Sequence, residues 1–559
     1  NTDSEWYVSA SPDKPTDTKT LIYTYNPTYD DAGSQLNESS GQFALMYTAI
    51  ENANLAIAGL RKYGSVETDA GMRYLLGESL VLRAFFYFDL IKAWGDVPMR
   101  FQPIGETGDV NKPRSDRDEI YKQIIADLEE AVDNVDWPGE GVRTGTVTRV
   151  NKAFAYGLLA RVCLSAAGYA QRPDEGRIGT GDIGSNRRSK LVEAGQEWGD
   201  NILYTKALDA CKAVIAKENV CVKLEGSFEE IWRDMMKRQV SAGGETLFVI
   251  PFADNRGQWM NNYAIRHATA DKYCGKAGAG GTIGPVPTLF YEYDKADRRR
   301  DVTCIPYRWN GGKQELENVQ KWYCGKYRYE WMNDVISGND CGIKPILMRY
   351  ADVLLMAAEA ANELNDLPYA KEQLRKVRFR AFKSNEAVDK YLEGIGSKDA
   401  MFKAIYRERM LEFSCEQIRK QDLIRWGLLK KSLDDVKGKM KAMLDHTTYT
   451  SELTDKTYDF SLVGTKVYYK YDADGETIQL HGLDFGEAGE PDGEGWTLYT
   501  SKKTDGTLEE EYIKSGTTST GRIDMIYQYD PDVHMFWPIF KQSITTNSLL
   551  ANDYGYPVR

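Results

Sequence analysis

The chain has 559 residues with 83 acidic and 71 basic side chains, a formal net charge of −12, and 42% apolar and 28% charged residues. That composition excludes an intrinsically disordered chain and argues against a dedicated nucleic-acid binder, which needs a surplus of Lys and Arg to neutralise phosphate. No run of 18 or more apolar residues encodes a transmembrane helix, and eight Cys with no CxxC pair and no Cys/His ligand spacing leave no zinc site.

Asn1 opens the chain with no charged-then-apolar leader behind it, which reads as a mature or trimmed product. Apolar residues at three-and-four spacing then predict a helix from Gln42 to Arg61, broken by Gly64, and a longer one from Ala70 to Trp94 that stops at Gly95-Asp96-Val97-Pro98. Asp116 caps a further expected helix along Ile120, Ile124, Leu128, Ala131 and Val135, with Asn151 to Ala167 as its partner and Leu203 to Ala216 after it. The pattern returns at Met348 to Leu364, turns at Asn365-Asp366-Leu367-Pro368, and runs back from Tyr369 to Phe379. Ala400 to Trp426 gives a last long helical region. Paired helices joined by short turns, with small Ala facing large apolar residues, suggest tetratricopeptide-like hairpins.

Between these blocks the character changes. Residues 241–344 are rich in Gly, Trp and Tyr and lack a helical period, and 449–521 alternates strand-like runs with turns at Asp474-Gly475 and Asp505-Gly506. Gly275 to Gly281 has no strand-to-helix frame for a dinucleotide loop and no closing Lys-Ser/Thr pair for a phosphate loop. Asp472 to Glu476 reads as a hairpin turn, its Gly coming too early for a calcium loop. Four of the eight Cys fall between Cys274 and Cys341, which leaves open a local disulfide or isolated small buried residues.

The stretch from Gly77 to Pro98, with Arg83, Asp89, Trp94 and Gly95-Asp96-Val97-Pro98, resembles the signature helix of the SusD/RagB family, glycan-binding lipoproteins of Bacteroidetes nutrient-uptake systems. Further motifs follow in the family's order: Pro287-Thr288 with Asp294, Asp297 and Arg298; Arg349-Tyr350-Ala351-Asp352 onward; Glu408-Arg409-Met410-Leu411-Glu412-Phe413 with Arg419, Asp422 and Arg425-Trp426-Gly427; and Trp537-Pro538-Ile539 to Tyr556. The resemblance implies a mostly α fold over a single domain, 1–559. Tetratricopeptide-like helix pairs at about 42–217 and 348–433 would support a loop-rich ligand and partner face at about 1–40, 241–344 and 449–540, with a few short β-hairpins. Family members usually begin with a lipid-bearing Cys and an initial helix; here the first Cys is Cys163, so the expected outer-membrane anchor is implied by resemblance alone.

Enzyme signatures are scarce. There is no GxSxG or HExxH, and the four His, at 267, 446, 481 and 534, form no recognisable constellation. Glu408, Glu412 and Glu416 share one helix face, as a glycosidase acid pair would need. The interleaved Arg409, Arg419 and Arg425 instead suggest ion pairs holding helices together, and Arg83, Asp89, Arg349 and Asp352 read the same way.

Sugar binding calls for flat aromatic faces plus amide and charged groups for hydroxyls. The middle supplies Trp259, Asn261, Asn262, Tyr263, Tyr273, Tyr307, Trp309, Trp322, Tyr323, Tyr327, Tyr329 and Trp331; the amino-terminal loop adds Trp6, Tyr23, Tyr25, Asn26 and Tyr29. In the family these two regions build the glycan site. The carbohydrate-binding residues expected are Tyr25, Asn26, Trp259, Tyr273, Trp309 and Trp322, with Trp309 and Trp322 foremost. Arg308, Lys321, Lys326 and Arg328 would suit an acidic glycan, though Glu315, Glu317 and Glu330 lie among them. With 35 Tyr against 18 Phe, a half-exposed aromatic surface is expected.

The expected function is therefore that of a non-catalytic, surface-exposed outer-membrane lipoprotein. It would bind an oligosaccharide or polysaccharide and pass it to a SusC-like TonB-dependent transporter, with no cofactor, no metal and no nucleic acid. Alternatives are a helical-repeat scaffold that binds only protein, a peptide-binding member of the same uptake family, and, least favoured, a glycosidase.

Overall fold

The apolar stripes of the amino-terminal half become long helices. In the computed structural model, which describes every residue except 32, 109, 200, 503–505 and 514–519, they run Gln42–Tyr63, Ala70–Trp94, Arg117–Asn134, Lys152–Ala167 and Ile202–Ile215. Side chains set their starts: Asp69 accepts from the Gly71 and Met72 N–H groups, Asp116 from Asp118, and Asn151 from Phe154. Each satisfies a first-turn donor that has no intrahelical partner. Neighbours in sequence pack against each other, Gln42–Tyr63 on Ala70–Trp94, and that helix on Arg117–Asn134. Leu80, Ala84, Leu90, Ile120, Ile124 and Leu128 are fully buried between them.

The later helices join the same core. Ile202–Ile215 packs on Tyr350–Glu363, which forms a hairpin with Leu367–Phe382. Asp366 caps that second helix through the Tyr369 N–H, and Pro368 sits in its first turn, where its missing donor costs nothing. The long helical region expected from Ala400 to Trp426 consists of two helices, Lys398–Phe413 and Arg419–Arg425. Cys415 and Gln417 take left-handed φ values of 65° and 62°, which no α-helix of L-residues continues through. The bend places Glu416 on Arg349 at 2.8 Å and on Lys326 at 2.6 Å. Leu429–Leu444 follows as a further helix.

The loop-rich parts hold only short strands. Tyr468–Tyr471 pairs with Ile478–His481 across the expected Asp474-Gly475 turn, and Thr497–Leu498 adds a third strand. Asp505 of the second expected turn lies outside the described residues, while the flanking Ser501–Lys502 and Leu508–Glu509 pair as a hairpin. The pairing that matters for the site is Glu5–Tyr7 with Ile283–Pro285, Trp6 opposite Gly284. A Cβ on Gly284 would stand 1.9 Å from the Trp322 carbonyl oxygen, so only glycine permits this approach. All eight cysteines are buried free thiols, which removes the local disulfide and leaves them as small buried residues.

Candidate functional site

The Glu5–Tyr7 and Ile283–Pro285 strands tie the amino-terminal loop to the middle of the chain. At their junction lies a cavity of about 160 Å³, walled by Trp6, Ile22, Tyr23, Tyr25, Tyr263, Ile283 and Trp537 and by the polar Glu5 and Lys420. Two stacked pairs border it: Tyr7 on Tyr23, ring centres 4.9 Å apart, and Trp259 on Tyr263 at 5.2 Å. Tyr23 and Trp259 are only half-buried, so each pair presents a flat face beside the cavity. Tyr25 holds a left-handed φ of 65°. Its hydroxyl donates to the Asn1 carbonyl at 2.6 Å, and its own carbonyl accepts from Nδ1–H of His534 at 2.9 Å.

The polar groups of the cavity are under-used. Glu5 is 8% exposed, and its Oε2 is buried without a hydrogen-bond partner among the described residues; burial raises its carboxyl above the ordinary range. Burial pulls the Lys420 ammonium down to about 8 and pushes the Tyr23 phenol up to about 12. The Trp6 and Trp259 indole N–H groups are also buried without a hydrogen-bond partner among the described residues. Aromatic faces, free donors and acceptors, and one cationic side chain make a site suited to a small polyhydroxylated ring.

The expected site residues divide. Trp259 does not line the cavity but stacks on Tyr263, which does; Tyr25 forms part of the wall, but it is 4% exposed and offers little stacking surface. Asn26, next to it, does not line the cavity, and neither does Tyr273, which lies half-buried with its edge on Trp309 at 4.9 Å. The two foremost candidates are packing residues. Trp309 is 2% exposed, against Tyr273 and His267; Trp322 is fully buried, its N–H donating to the Tyr512 hydroxyl at 2.9 Å. Tyr323, Tyr327, Tyr329 and Trp331 are buried as well, so the tyrosine surplus of the middle builds core rather than the half-exposed surface expected. Three of the four cations expected there are committed, Arg308 to Glu315 and Glu317, Lys326 to Glu416, and Arg328 to the Gly325 carbonyl, while Lys321 is exposed. Sequence reasoning missed Glu5, Lys420 and Trp537 as cavity walls, and no local pattern marks them out.

Two family models match this chain. One, the SusD family, takes in residues 301–556; the other, described as starch-binding and associating with outer membrane, takes in residues 4–164. The chain belongs to the SusD/RagB family. SusD-like protein P25 of Formosa agariphila is 23% identical over 444 residues, 74% of this chain and 75% of that relative. A SusD-like protein of Bacteroides ovatus is 24% identical over 472 residues, 80% and 74% of the two chains. A solved SusD homolog from Bacteroides thetaiotaomicron VPI-5482 superposes with a TM-score of 0.62 at 20% identity, covering 78% of this chain and 83% of that one. Surface glycan-binding protein A from Bacteroides thetaiotaomicron, solved in complex with laminarihexaose, gives 0.55 at 19% identity, covering 77% and 84%. The two solved structures share the mostly helical fold of this chain.

In this SusD/RagB chain the motif residues are structural. Arg83 binds Asp127 at 2.8 Å, and Arg409 joins Asp352 and Asp422, both at 2.7 Å. Glu408 is held by Arg299 and Arg378 at 2.7 and 2.6 Å, and Glu412 by Arg299 and Arg349 at 3.0 and 2.9 Å, with Arg380 in contact too. Burial alone would raise the Glu412 carboxyl, but the three arginines outweigh it and hold it well below its ordinary value. Fully buried and locked in ion pairs, Glu408 and Glu412 face no cleft as a glycosidase pair would.

Proposed function

We propose that this protein is a non-catalytic glycan-binding member of the SusD/RagB family, acting at the cell surface on the outer membrane and passing oligosaccharides to a SusC-like TonB-dependent transporter. The observation that carries the reading is the junction, where the amino-terminal loop and the middle contribute stacked aromatic pairs and unbonded polar groups to one cavity. The description of the amino-terminal family model and the laminarihexaose complex of a fold relative support it. We take the whole chain to act as one SusD-like unit, with the helical blocks, hairpins of the tetratricopeptide kind, as scaffold for the loops.

Calorimetry or affinity electrophoresis against plant, microbial and host glycans tests the proposal. Binding to at least one glycan is expected, with Tyr23→Ala and Trp259→Ala each weakening it by about tenfold, or 1.4 kcal/mol. A protein-only scaffold would bind no glycan, and a peptide-binding member would answer peptides instead. Release of shortened products on prolonged incubation would count against the non-catalytic role.

A further inference from the structure

Among the described residues that line the junction cavity, Lys420 carries the only cationic side chain. Several buried cations of this chain meet a carboxylate, Lys326 on Glu416 at 2.6 Å, Lys439 on Asp435 at 2.9 Å, and Arg419, the residue before Lys420, on Asp3 at 2.6 Å, while the buried Arg522 instead donates to the Ala10 and Tyr7 carbonyls. Lys420 has neither an ion pair nor a hydrogen bond among the described residues; its ammonium lies over the Tyr25 ring, 4.9 Å from the centre. Lys420 is half-buried, and withdrawing an ammonium from water without a counter-charge is costly.

We propose that the junction cavity selects glycans bearing an anionic substituent, the carboxylate of a uronic acid or a sulfate ester, with the Lys420 ammonium as its counter-charge. The inference rests on the reading of the junction as the glycan site. The aromatic walls Trp6, Tyr23, Tyr25 and Tyr263 keep water from the contact, so an anion there gains more than it would on open surface. The downward shift of Lys420 comes from burial, with no carboxylate drawing it back up, and a value of about 8 leaves it mainly charged at neutral pH. The buried Oε2 of Glu5, without a hydrogen-bond partner among the described residues, is an acceptor for ring hydroxyls. A larger cleft, of about 790 Å³ along Gln42–Tyr63 and Arg117–Asn134, also holds cations. There Arg61, Arg83 and Lys122 are already neutralised by Glu130, Asp127 and Glu197, and Arg100 and Lys112 are engaged as well.

The test measures binding of trigalacturonate, a sulfated galactan oligosaccharide and neutral laminarihexaose at low and high salt, in the full chain and in Lys420→Gln, Lys420→Arg and Tyr23→Ala. An anionic probe should bind at least about tenfold tighter than the neutral one and weaken as salt rises. Lys420→Gln should abolish that preference without changing neutral binding, and Lys420→Arg, with an unchanged melting temperature, should restore it. Whether the uronate or the sulfate ester responds identifies the source of the anion. Equal binding of neutral and anionic probes, or anionic binding indifferent to Lys420→Gln, overturns the selectivity while Tyr23→Ala still reports on the junction. Absence of all glycan binding overturns the junction reading and this inference with it.

Discussion

Trp322 is enclosed on every side, its indole N–H donated to Tyr512 at 2.9 Å and the Phe290 ring meeting it edge-on at 5.4 Å. Trp322→Ala opens a cavity in a core that cannot fully collapse, so we expect a loss of about 3–5 kcal/mol in urea unfolding, with weaker glycan binding only through lost folded protein. Trp259→Ala should behave in the opposite way, costing affinity while leaving the unfolding midpoint nearly in place, because its ring is half-buried at the cavity's border. Equal destabilisation by the two variants would contradict this division. The aromatic content of the middle was legible in sequence, but its sorting into core and surface was not, because residue type states a preference for burial and not its outcome. The same holds for charge: Arg419 and Lys420 are adjacent, and only the arrival of Asp3 from the far end of the chain decides that Arg419 is neutralised while Lys420 is left facing the cavity.

Among elements, the Ala70–Trp94 helix shows how a local stop signal acquires a distant use. Gly95 ends it at φ 72°, and a Cβ there would come within 2.4 Å of the Tyr554 hydroxyl. That hydroxyl accepts from the Arg117 guanidinium at 2.7 Å, and Arg117 in turn binds Asp96 at 3.0 Å. Gly95→Ala therefore combines a disfavoured backbone with displacement of a buried, bonded tyrosine, and we expect a loss of more than about 1 kcal/mol, read as a lowered melting temperature. A melting temperature equal to that of the unsubstituted chain would refute the coupling. Sequence placed this helix correctly at both ends, since capping Asp69, the apolar period and Gly95 are all local. It did not foresee the break at Cys415 and Gln417, where no Gly or Pro announces an interruption. The bend is held instead by the ion pairs of Glu416 with Arg349 and Lys326.

At the scale of the molecule, buried ion pairs link helices to loops, and this gives a definite acid response. Burial alone would raise Glu292, but Lys439, Lys456 and Arg407 outweigh it and hold the carboxyl down to about 2, against an ordinary 4.5. Arginines likewise hold Asp96 and Asp352 below their ordinary range against burial. Carboxyls lowered in the folded state contribute stability that is complete above their unfolded values and is lost as pH falls through the folded ones. His534, stacked between Tyr529 and Tyr556, is lowered by burial from 6.5 to about 4, so its contribution is lost over that interval. Calorimetry should find the melting temperature falling gently from about pH 6.5 to 4 and steeply between about 4.5 and 2; a profile flat to pH 3 would refute it. The sequence by itself determined most of the long helices, the Asp116 cap, the motif order and hence the SusD/RagB membership, because periodicity, capping and motifs are properties of neighbouring residues. Only the tertiary structure decided which aromatics are wall and which are core, that Glu5–Tyr7 pairs with Ile283–Pro285, and that Lys420 is left without a counter-charge. Each of these depends on segments hundreds of residues apart meeting in space, where burial and pairing are decided by the partner that arrives.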